Sequence, residues 1–81
     1  MSTGEIIRVL KENLSSDDLD YLTGLARHNL YFECFIKHSL FKFWGIDNHS
    51  KIQICITDFY ETQMVGVASI QLSDIGRTPL P

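Results

Sequence analysis

Residues 30–45, LYFECFIKHSLFKFWG, hold four of the five Phe of the chain, its only Trp, one of its three Tyr and one of its two Cys. So much apolar surface in one segment must be buried on more than one side, and it decides the rest of the fold. Its period is ambiguous. Read as a helix, Phe32, Phe35, Ile36, Ser39, Leu40 and Phe43 share one face, and Glu33 precedes Lys37 by four residues in the favourable order. Asn29 then caps the start and Gly45 the end. Leu30, Cys34, Phe41 and Trp44 lie roughly opposite, with Tyr31 beside them. Read as one strand, Phe32, Cys34, Ile36 and Leu40 fall on one side, and Tyr31, Phe35, Phe41 and Phe43 on the other. Aromatic enrichment favours a strand. A strand of this length is unusual while a helix of about four turns is ordinary, so the helix is the favoured expectation.

The flanking segments read more simply. Ser2 and Glu5 match a capping box, and Ile6, Ile7, Leu10 and Leu14 follow at helical spacing, which predicts a helix over about residues 3–13. Ser15 or Ser16 caps a second helix over about residues 17–28, with Leu19, Leu22, Leu25 and Ala26 facing inward. Gly24 inside that helix implies close approach of another element, with a hinge as the alternative. Residues 46–50 are a polar loop. Residues 51–57, KIQICIT, alternate cleanly with Ile52, Ile54 and Ile56 on one face, a strand. Residues 61–63 form a turn and residues 64–72 a second strand, with Gly66 at a bulge or crowded point. Residues 73–81 read as an extended tail.

The expected fold is therefore α+β in a single domain over residues 1–81: two to three N-terminal helices, then a C-terminal antiparallel β-hairpin. That order also matches a reduced winged helix, in which the third helix would read the major groove. Its outward residues would be Glu33, Lys37, His38, Phe41 and Lys42, which lack the Arg, Asn and Gln that usually contact base edges. Net charge of −3 opposes a general affinity for nucleic acid.

Catalytic and metal chemistry find little support. Phosphate-binding glycine loops are absent. Cys34, His38, His49 and Cys55 match no paired zinc-ligand spacing, and both Cys read as core-facing. Asp58 and Glu61 flank a turn where solvated carboxylates are ordinary. No enzyme, cofactor or metal is expected. The N-terminus lacks a basic run followed by a long apolar one, and no stretch is long enough to span a membrane, so the cytoplasm is the expected location.

The expectation that remains is binding to another macromolecule, most simply a protein. A chain of 81 residues builds a thin core and gains from a partner, a homodimer included. Tyr31, Phe41 and Trp44 are left over once one core face is filled, and are the expected apolar anchors. Asp17, Asp18 and Asp20 form an acidic patch, read either as charge complementing a helix N-terminus or as a surface for a basic partner. Small acidic chains of this kind occur among phage and mobile-element inhibitors of host machinery, an analogy of size and charge. The rivals are a winged-helix transcription regulator and an obligate oligomeric subunit.

Overall fold

The computed structural model describes residues 1–46 and 50–76. Helices α1 (Thr3–Asn13) and α2 (Ser16–His28) come first. Four strands follow, β1 (Tyr31–Ile36), β2 (Ser39–Gly45), β3 (Lys51–Asp58) and β4 (Met64–Gln71), and then a short 3₁₀ helix, Leu72–Ile75. The strands form one antiparallel sheet in the order β1-β2-β3-β4. The fold is α+β, with two helices and four strands in place of three helices and a hairpin.

Both helices begin as their sequences predict. The Ser2 hydroxyl accepts from the Glu5 amide and the Glu5 carboxylate accepts from the Ser2 amide, a complete capping box. Ser15 and Asp18 make the same reciprocal pair at the start of α2. Asn29 ends α2 in the left-handed conformation, φ 51°, rather than starting a third helix.

Residues 31–45 are a hairpin, not a helix. Lys37 and His38 both have positive φ, 49° and 69°, the two-residue turn whose twist suits antiparallel strands. The turn pairs Ile36 with Ser39, so the inward residues are even-numbered before it and odd-numbered after it. Phe32, Cys34 and Ile36 on β1 and Phe41 and Phe43 on β2 therefore share one face. A single uninterrupted strand would have separated them. The helix-turn-helix of the winged-helix reading is absent from the described residues, because its recognition segment is this hairpin.

The helices cover that face alone. Ile6, Leu10, Leu22, Leu25 and Ala26 pack with Phe41, Phe43, Ile52, Ile54, Ile56, Ala68 and Ile70 in one core. Close approach of a helix occurs at Gly45 and not at Gly24. A Cβ on Gly45 would lie 2.7 Å from the Leu25 carbonyl oxygen, whereas nothing lies within 4 Å of one on Gly24. Gly66 sits beside the register shift in β3–β4, and a Cβ there would meet Ile6 and Met1 at 3.3 Å, which agrees with the crowded point expected. Leu72 and Ile75 are buried, so the segment expected as tail begins docked, and residues 77–81 lie outside the described residues. Among the described residues no helix is long and apolar enough to cross a membrane.

Candidate functional site: the open face of the sheet

The other face of the sheet carries no helix. The strand registers align its side chains in rows: Tyr31, Trp44, Gln53 and Ser69; Glu33, Lys42, Cys55 and Val67; Phe35, Leu40, Thr57 and Met64. Core alternation forces this. Once Ile52, Ile54 and Ile56 point to the helices, Gln53, Cys55 and Thr57 must point away. Cys55 is thus on the open face and Cys34 on the covered one, so a site shared by the two thiols is ruled out by the pleat. The other cysteine-site candidate, His49, lies outside the described residues. Among the described residues no group of three or more His, Cys, Asp or Glu could hold a metal ion.

The loop after β3 folds back over this face and adds to it. The Asp58 carboxylate accepts from the Thr62 amide (2.6 Å), the Thr62 hydroxyl and the Gln63 amide (3.1 Å). Those bonds, from Thr62 first, hold the Asp58 carboxyl below its ordinary pKa. The tight loop so formed presents Phe59, Tyr60 and Glu61. Phe59 stacks on Phe35 with centroids 5.1 Å apart, and Tyr60 meets Phe59 edge-on at 5.2 Å. Glu61 pairs with Lys42 and raises the pKa of that ammonium, chiefly through their hydrogen bond. Leu40, though on this side, is only 4% exposed and stands apart from the main core, consistent with the loop closing over it.

At the other end of the face, the Tyr31 ring lies 6.4 Å from that of Trp44, and its hydroxyl donates to Glu33 at 2.6 Å. Partial desolvation, then the bond to Glu33, pushes the phenol up to about 12, so it stays neutral and a donor. The result is two aromatic clusters, Tyr31/Trp44 and Phe35/Phe59/Tyr60, flanking a paired stripe of Glu33, Lys42 and Glu61. Tyr31, Phe35, Phe59, Tyr60 and Met64 are each more than half exposed, with Tyr60 at 80%. What this arrangement offers chemically is rigid apolar contact area edged with neutral donors and an internally satisfied ion pair.

Of the residues expected to bind a partner, Tyr31 and Trp44 meet on this face. Phe41 does not: at 2% exposure it is core, turned inward by the change of parity at Lys37–His38. Asp17, Asp18 and Asp20 stand apart at the start of α2, where Asp18 serves the helix cap. Sequence reasoning missed Phe59 and Tyr60. The available signal was an adjacent aromatic pair at a turn, where polar residues are the rule.

No family model matches this chain, and neither does any curated protein or solved structure with which it was compared.

Proposed function

We propose that the protein is a non-catalytic binding protein that docks onto another protein through the open face of its sheet and thereby regulates or blocks it. The observation that carries this reading is the exposure of Tyr31, Phe35, Phe59 and Tyr60 together on the one face without a helix. At about 150–250 Å² per aromatic side chain, their exposed parts amount to roughly 500 Å². Met64 and Val67 extend that toward the roughly 800 Å² per partner of a standard interface. Folding gains nothing from leaving such area wet, and aromatic clusters of this kind are the usual energetic centres of interfaces. A role as an inhibitor of host machinery rests on small size and net charge of −3.

The test is affinity capture from the native host, followed by calorimetry on the captured protein with wild type and the Phe59→Ser/Tyr60→Ser variant. Loss of two anchors should weaken binding at least about 30-fold. Unchanged affinity, with the fold intact by circular dichroism, refutes the docking face.

A further inference from the structure

We propose that two copies of this chain pair through β1, antiparallel and centred on Cys34, to form one continuous eight-stranded sheet. The inference goes beyond the docking face and does not depend on it.

The two edges of the sheet are built differently. Along β4, the N-terminal ammonium of Met1 donates to the Val65 carbonyl at 2.9 Å, and the register shifts beside Thr57. The inward residues Gly66, Ala68 and Ile70 are buried, with Leu72 and Ile75 closing the end. Such a bulged and covered edge resists further pairing. Along β1, all six residues pair with β2 without a shift. The strand has no Pro, Lys or bulge to protect it. Its inward residues Phe32 and Cys34 are only partly buried, while Phe43 and Ile54 further in are fully so. Of the two sheet edges, the core is thinner at β1 than at β4.

Backbone geometry and charge select a second copy as the occupant. The two-residue turn makes Ile36 and Ser39 exchange both hydrogen bonds. The amides of Phe32, Cys34 and Ile36 then face β2, and those of Tyr31, Glu33 and Phe35 face outward. Centred on Cys34, Glu33 exchanges both bonds with the partner's Phe35. Phe32 meets the partner's Ile36 on the core side. Both faces stay in register, as a two-fold axis requires. Glu33 lies diagonal to the partner's Lys37, a residue with no ion pair among the described residues. Centring on Glu33 would oppose two carboxylates instead, and any odd shift would set inward against outward residues. Cys34 and the partner's Cys34 become a non-hydrogen-bonded pair about 4.5 Å apart at Cα, within disulfide reach.

Light scattering at about 100 µM should give twice the mass of one chain, falling on dilution. Mild oxidation with copper phenanthroline should trap a covalent dimer in wild type and in Cys55→Ser, and none in Cys34→Ser, which should still associate. Glu33→Pro removes an outward amide, and Glu33→Lys places like charges across the axis. Each should weaken association at least about 10-fold. Should Glu33→Pro fail to fold, Glu33→Lys carries the test. A monomeric wild type, cross-linking through Cys55, or wild-type association in Glu33→Lys overturns the pairing. A monomer that still captures its partner through Phe59 and Tyr60 would end this inference alone. A dimer whose capture ignores those rings would end the docking face alone.

Discussion

Gly45 and Gly24 call for opposite outcomes from the same substitution. Gly45 lies where β2 passes under the last turns of α2. A Cβ there would stand 2.7 Å from Leu25 O and 3.0 Å from both Ala26 Cα and Ala26 O. All three atoms are backbone, so no side-chain rotation relieves the clash and α2 itself must lift. Lifting it disturbs Leu22, Leu25 and Ala26, each no more than 1% exposed. Overpacking costs about 1–3 kcal/mol, and a backbone obstacle belongs at the upper end. Restricting the unfolded chain returns up to about 1 kcal/mol. Gly45→Ala should therefore cost about 2 kcal/mol, and at about 4–8 °C per kcal/mol for a domain of this size Tm should drop by about 8–16 °C. Gly24 has open space around it inside a helix. Gly24→Ala should add about 0.5–1 kcal/mol and raise Tm by about 2–8 °C. Thermal and urea unfolding by circular dichroism read both. A neutral Gly45→Ala, or a destabilised Gly24→Ala, would refute the placement of α2 on the sheet.

Phe43→Ala should cost about 3–5 kcal/mol, since its ring is 0% exposed between Phe32 and Phe41. Tyr60→Ala should stay within about 0.5 kcal/mol, and comparing their urea midpoints separates core from surface. Burial, and then the charge of Asp18, raises the Cys34 thiol from 9.0 to about 11. The stability tied to its protonated form is complete below 9.0 and lost as pH rises through about 11, so urea midpoints of Cys34→Ala should flatten in that window. The Asp58 carboxyl is lowered, so the order it lends the loop is present above its ordinary 3.8 and lost as pH falls below that. Asp58→Ala should loosen the Phe59–Tyr60 loop at neutral pH, read as weaker partner capture with little change in Tm. Asp17→Lys with Asp20→Lys should leave Tm nearly unchanged and slow partner association at low salt, and an unchanged rate would remove the acidic patch from the interface.

The helices and the second hairpin were legible because each carries its own local signal. Ser2 and Ser15 announce caps, and Ile52, Ile54 and Ile56 alternate around polar residues. The first hairpin has no such mark. Its turn is Lys37–His38, two residues that rarely take positive φ, in place of the Asn-Gly or Asp-Gly that identifies this turn type. Beyond it, apolar residues occupy both faces of β2, because Leu40 and Trp44 lie on the side opposite Phe41 and Phe43. With no polar beat to set the period, six- and seven-residue strands mimic one helix of similar total length. Misplacing the turn also misplaced Phe41, and with it one of three expected anchors. Tyr31 and Trp44 share a side in the helix reading and in the hairpin, but a single strand would have put them on opposite faces. The loop carrying Phe59 and Tyr60 was hidden for a different reason: solvated carboxylates are ordinary at a turn, so Asp58 reaching Thr62 and Gln63, four and five residues on, did not mark a loop that presents two rings.

The pleat has a consequence for how such a protein can change over generations. Each strand spends alternate positions on the core and the others on the uncovered side, and the two sets scarcely touch. Substitutions at Tyr31, Phe35, Gln53, Val67 or Ser69 need not disturb Phe43 or Ile54 behind them, so their effects on stability should be small and nearly additive with those of core changes, while Gln53 and Ser69, which share a hydrogen bond, couple to each other. A lineage under pressure to follow a changing partner could rewrite half of its sheet while the other half keeps the chain folded.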